Sequence, residues 1–437
     1  MNKEKQEVLN WIDEHQDEAI ETLQRMIRAR SVNPYFEHEH GDEGEGRFQE
    51  LIQRELKELG AEMDVWEPDV KALGKYLEYP GYDPNFNSSG RPNVVGTFRG
   101  TGKGRSIVLM GHCDTVACGT GWHHDPFGGE VSDGKIWGRG AVDMKGGIAA
   151  MLMAAKSIIK CGIRLPGDVS VASIIAEENP GIGAMAYYER GYKADACIMT
   201  EATELKVSPL CRGVIWGKLT IEGRSGHIEL PLQDWHKGGA VDAIKRARMF
   251  LDHFDRLNEE WRVTKCHPLL SVPCQIYVGK VVMGEFISTY ANKAEIWFDA
   301  TYLPRDRDQY SGGRIVMDEI EELIRSVAQT DSWLREHPPV LEWQINADCA
   351  ETPSDHPIVT TMLDSLKFLG LPPVVEGCYF HTDMGWIERA GIPIINFGPG
   401  DPRVAHKNDE YVEIKSLLDC TKAIALTILE WCSCEKD

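Results

Sequence analysis

Residues 106–116 read SIVLMGHCDTV. Residues 107–110 form an apolar run of strand length that ends in a glycine, and His112 and Asp114 follow immediately. On extended backbone two residues that far apart point the same way, so the pair is presented together at the strand's end. Similar runs lie on either side: NVVGTF (93–98), DVSVASIIAEE (168–178) and ADACIMTE (194–201). Between them GRGAVDMKGGIAAMLMAAKSIIKCG (138–162) reads as a loop leading into a helix from about Lys145. Strands alternating with helices predict a mostly parallel α/β sheet with helices on both faces. The polar residues that end each run sit where such sheets hold their ligands.

Farther out, residues 4–29 and 46–59 carry apolar residues at helical spacing. From Arg212 the texture changes to alternating strands (GVIWGKLTIEG, QIYVGKVVMG, KAEIWFDATYL) with helices near 238–257 and 314–328. The α/β pattern then returns in PIVTTMLDSLKFLG and PIINFGPG. The expected organisation is one α/β domain, residues 1–211 and 332–437, interrupted by a smaller α+β domain over 212–331.

Composition narrows the function classes. The 437 residues carry 68 acidic and 47 basic side chains, a formal net charge of −21. That charge repels nucleic acid and anionic membrane surfaces. The N-terminus is acidic and amphipathic and does not read as a secretory signal, and no apolar run is long enough to span a bilayer. A cytoplasmic enzyme is expected, its 12 cysteines reduced and mostly small buried residues.

Taken singly, most of the polar residues have ordinary explanations. His112 and Asp114 could belong to a turn, Asp143 could cap a helix, and Glu201 and the loop residue His406 are unremarkable. Glu177 and Glu178 are different: adjacent carboxylates at the end of a buried strand are costly unless a cation neutralises one or a proton sits on the other. That suits one metal ligand and one general base. All these donors fall at strand ends or in loops beyond them. Imidazoles and carboxylates without thiolate favour zinc, with cobalt or manganese as alternatives.

GHCDTV, the run from Gly121 to Gly147, EENPGIG and the GPG…AH..DEYV segment together resemble the M20 metallopeptidase family, in order and over most of the chain. The resemblance implies two divalent metal ions. His112 and Glu201 would be terminal ligands of one, Glu178 and His406 of the other, and Asp143 would bridge them. It also implies that Asp114 supports His112, that Glu177 is the general base, and that the Asp143–Met144 peptide is cis. The inserted domain would be a lid through which two chains pair. His227, in IEGRSGHIEL, would reach the partner's active site and polarise the scissile carbonyl.

Substrate recognition departs from the family pattern. Ser288, Ala291 and Thr301 stand where many relatives have Asn, Pro and a carboxylate-binding Arg, leaving Arg305 or Arg212 as substitutes. HTDMGW (381–386) adds His381 near the pocket. The expected reaction is hydrolysis of a linear amide, most simply removal of a formyl or acetyl group from a small N-acyl amine or amino acid. A dipeptidase or carboxypeptidase is the alternative within the enzyme class, and a metal-dependent small-molecule binding protein the alternative outside it.

Overall fold

The computed structural model describes residues 2–36, 44–309 and 312–435. They form two compact units, one of residues 1–211, 350–378 and 382–437, the other of 212–349 and 379–381.

The first unit is built on a six-stranded sheet in the order Glu62–Trp66, Asn93–Phe98, Val169–Ile174, Ile107–His112, Ala196–Met199, Ile394–Asn396. The last four strands run parallel, and Asn93–Phe98 is antiparallel to both of its neighbours. Every residue from Ile107 to His112 is buried. Since successive side chains point to opposite faces, both faces of the sheet are covered there. His112 lies level with Ile174, and Met110 with Met199, so three parallel strands end at one rim and deliver the residues that follow them to one place.

The helix Gly146–Lys160 is apolar on nearly all sides and almost wholly buried. It packs against the C-terminal helix Ile414–Ser433 and the His112 strand. Its start depends on Gly147, where a Cβ would come within 1.9 Å of the Thr200 carbonyl oxygen. Only a glycine lets the helix approach the strand end this closely, which sets Asp143 beside Glu201. A small sheet of Glu130–Ser132, Lys135–Trp137 and Tyr411–Glu413 brings the late loop back to the segment before Asp143.

The second unit is an antiparallel sheet in the order Ile276–Met283, Lys293–Tyr302, Gly213–Glu222, Val340–Ala347, with helices Ala243–Thr264 and Arg314–Gln329. The boundary read from the sequence at 331/332 is therefore too early. Ser332–Glu336 and the strand Val340–Ala347, paired with Gly213–Glu222, belong to this unit, as do residues 379–381. That outer strand alternates between exposed and half-buried residues and so carries little of the apolar periodicity that marks a strand. The expected N-terminal helix is also two, Asn2–Glu14 and Gln16–Arg28, broken at His15.

Candidate metal centre

At the sheet's rim seven of the expected residues converge. His112 ends its strand, buried to 2% exposure. Its Nδ1 lies 3.0 Å from the Asp114 carbonyl oxygen, which can only accept, so Nδ1 carries a proton and Nε2 is the nitrogen turned toward the carboxylates. That Nε2 is 3.2 Å from Asp143 Oδ1, 3.5 Å from Glu201 Oε1 and 3.9 Å from Glu177 Oε2. His406 Nε2 is 3.0 Å from the other Asp143 oxygen, Oδ2, and 3.3 Å from Glu178 Oε2. Two donor sets result, His112–Asp143–Glu201 and Asp143–Glu178–His406, each with donor atoms within 4.8 Å of one another. They share one carboxylate, whose two oxygens face different sets.

The charge balance fits cations. Five carboxylates face two imidazoles in this cluster, and Glu178 Oε1 is buried with no hydrogen-bond partner. A buried carboxylate oxygen without a donor is the kind of atom a metal ion satisfies. Burial pushes Glu201 up to about 8 and Glu177 well above the usual carboxylate range. Hydrogen bonds to Asp143 and Glu178 raise His406 to about 11. Burial would raise Asp143 as well, but its hydrogen bonds to His112 and His406 hold it low.

Without metal, then, Glu201, His406 and His112, the last raised, against the opposing effect of burial, well above the usual imidazole range by the surrounding carboxylates, keep protons at neutral pH that they must lose to act as ligands. Metal uptake should release protons, and the affinity should rise by about tenfold per pH unit for each proton released as pH climbs from about 6 to about 8. Calorimetry in two buffers of different ionisation enthalpy measures this. An affinity flat across that window would contradict it.

Asp114 does more than support the histidine. Its fully buried carboxylate accepts from Asn33 Nδ2 at 2.8 Å and from the backbone N–H groups of Glu177 and Glu178, each at 3.1 Å. One side chain thus ties the His112 strand to the turn that presents both glutamates. Ala176, just before them, has φ +56°, and its N–H is held at 2.7 Å by Glu45, itself buried and paired with Arg91. The Asp143–Met144 peptide is cis, as is Asn179–Pro180.

Neither Asn33 nor Glu45 stood out in the sequence, because each is a single polar residue in or near a helix that reads as solvated. Asp383 was also overlooked within HTDMGW. It is buried, pushed up to about 8 by desolvation, and its charge acts on Glu177.

The remaining candidates lie in the second unit. His227 is exposed, with Nδ1 3.3 Å from Glu229 N. Ser288 offers its carbonyl to Ile228 N at 3.1 Å. Thr301 is buried, and its hydroxyl accepts from Gln275 N at 3.1 Å, so it is already committed to the backbone. Arg305 is exposed and donates to the Thr264 carbonyl. His381 donates from Nδ1 to the Asp348 carbonyl at 2.7 Å and is pushed down to about 4 by burial, so it is neutral.

Two imidazole–carboxylate sets sharing a carboxylate, at the C-terminal rim of a parallel sheet, are the hallmark of two-metal hydrolases. The chain belongs to peptidase family M20/M25/M40, whose profile matches residues 108–430.

It is 30% identical to N-formyl-4-amino-5-aminomethyl-2-methylpyrimidine deformylase of Bacillus subtilis (strain 168), over 98% of this chain and 97% of the relative. It is 32% identical to succinyl-diaminopimelate desuccinylase of Methylobacterium radiotolerans, over 49% of this chain and 51% of that one. A di-peptidase of Saccharomyces cerevisiae superposes over the full length of both chains with a TM-score of 0.75 at 13% identity, a likeness of fold. The protein is a metal-dependent amide hydrolase.

Proposed function

We propose that this enzyme removes the formyl group from a small amine that carries a planar nitrogen heterocycle, using two zinc ions. One observation carries the reading: the likeness to a deformylase extends over essentially the whole chain, inserted unit included, whereas the likeness to a desuccinylase stops at about half of it. The commitment of Thr301 to Gln275 agrees with it, since an anchor for an acyl-chain carboxylate is lacking there.

His112, Glu201 and Asp143 would hold one ion, and Glu178, His406 and Asp143 the other. Bound there, the ions would supply the Lewis acidity that makes water a nucleophile at neutral pH and polarises a carbonyl. Glu177 accepts the proton from the attacking water and returns it to the amine nitrogen as the carbon–nitrogen bond breaks. Asp114 keeps Glu177 in place by holding its N–H. Formate and the free amine are the products, and no side chain becomes acylated.

Rates on N-formyl, N-acetyl and N-succinyl derivatives of an aminomethyl-pyrimidine, and on dipeptides, test the substrate class. The N-formyl compound should lead by at least about 100-fold in kcat/KM, since small differences in a fitted pocket carry factors of this order. Preference for dipeptides would overturn the reading.

The enzyme is proposed to act as a homodimer in the cytoplasm, where its cysteines, which form no disulfide in the structure, stay reduced. Ile276–Met283 is the outer strand of its sheet, and Val278, Val281 and Val282 on it are exposed, with Phe286 67% and Ile287 92% exposed beyond it. A bare apolar edge of this kind invites pairing with a second copy, which would let each chain receive the other's His227. Placing lysines at Val281 and Val282 should yield a monomer by sedimentation whose activity falls at least about 100-fold, the scale of losing one oxyanion donor. A monomer of undiminished activity would refute the exchange of His227.

A further inference from the structure

Glu410 stands outside both donor sets, yet it grips the segment that carries their shared carboxylate. It is fully buried. Oε1 accepts from Val142 N at 3.0 Å and Asp143 N at 3.2 Å, and Oε2 pairs with Arg139 Nη1 at 2.5 Å. Arg139 Nη2 reaches the Ala117 carbonyl at 3.2 Å, and Gly138 N donates to the Glu410 carbonyl at 2.9 Å. Four residues earlier on the same loop is His406, at φ +59° and with its side chain 53% exposed.

The loop's other ties run elsewhere. Asp409 accepts from His123 N and His124 N, and Asn408 donates to the Thr120 carbonyl. Glu410 therefore joins the peptide of the bridging aspartate to the loop of the exposed histidine. His112 and Glu201, in contrast, are placed by strand ends within the sheet.

We propose that Glu410 is a positioning residue that sets the metal affinity of the Asp143–Glu178–His406 donor set and leaves that of the His112–Asp143–Glu201 set largely intact. The inference rests on the two-ion reading of the centre. A neutral amide in its place keeps one acceptor oxygen and puts an NH2 donor in the other position, so either the two N–H groups beside Asp143 or Arg139 is left facing a donor and the charge that pairs Arg139 is gone. The donor set with a ligand on the same loop as Glu410 loses its geometry, whereas the other keeps two ligands fixed by the sheet. Outer partners of metal ligands commonly carry about 10- to 100-fold in affinity.

The test is a cobalt(II) titration of the full-length, chelator-stripped chain, followed by calorimetry and by the visible absorption of each bound ion. His406→Ala identifies which binding step belongs to its donor set. Glu410→Gln should weaken that step by about 10- to 100-fold and perturb that ion's spectrum, with the other step changed by less than about threefold and the melting temperature of the cobalt-loaded chain retained. Glu410→Asp, which keeps the charge one methylene short, should fall between and serves if the glutamine variant does not fold. Equal losses in both steps, or none in either, would overturn this inference while leaving the two-ion reading intact. A wild-type chain that takes up only one ion would overturn both.

Discussion

Replacing Glu177 by glutamine should lower kcat on an N-formyl amine by about 1,000-fold or more, within the range that a positioned acid–base group supplies. Glutamine has nearly the same shape, and the contact to Asp114 is made by the backbone N–H at 3.1 Å, so the turn keeps its conformation. What is lost is the ability to take a proton from water and hand it to the leaving nitrogen. Metal content by elemental analysis and the melting temperature should match the wild type, and substrate should still bind, with KM changed by only a few-fold. A kcat within tenfold of wild type would remove Glu177 from the chemistry. A simultaneous loss of metal would recast it as a ligand.

Replacing Asp143 by asparagine should cost more. Asp143 is the residue common to both donor sets, with one oxygen 3.2 Å from His112 Nε2 and the other 3.0 Å from His406 Nε2. An amide offers one neutral acceptor and, on the other side, a donor that points at a ligand or a cation. The variant should retain at most one ion per chain and lose activity by more than about 10,000-fold, beyond the effect of a lost acid–base group. In the metal-free protein His406 would also lose the first of the two hydrogen bonds that raise it to about 11, so NMR titration of its ring should show the pKa falling. Two ions retained with normal affinity would sink the bridging role.

Much of this centre was legible in the chain because strand ends are legible. The runs ending in His112, Glu177–Glu178 and Glu201 are apolar over the length of a strand and then abruptly polar, and a parallel sheet aligns such ends at one rim. Asp143, which alone reads as a helix cap, and His406, a loop histidine, stood out only together with the other donors and through the family motifs. The residues that hold these ligands were not legible. Asn33 and Glu45 are isolated polar residues far from the motifs they serve, Asp383 and Glu410 lie inside HTDMGW and DEYV, and in neither case does anything local distinguish a buried, structurally engaged polar side chain from a solvated one. The outer strand Val340–Ala347 was missed because its weak burial leaves no apolar rhythm, which moved the end of the inserted unit from 331 to 349.

By itself the sequence determined that this is an α/β protein with an α+β insertion, and it picked out the residues expected to face a metal, since periodicity and residue type are local properties. Only the tertiary structure decided that Asp143 directs one oxygen to each imidazole, that Asp114 and Glu410 clamp the loops around them, and that the Thr301 hydroxyl is already engaged. Those facts depend on segments far apart along the chain, such as Val142 and Glu410 at a separation of 268 residues, being brought within hydrogen-bond distance. Hydrogen bonds act over about 3 Å, and no pattern along the chain encodes that proximity.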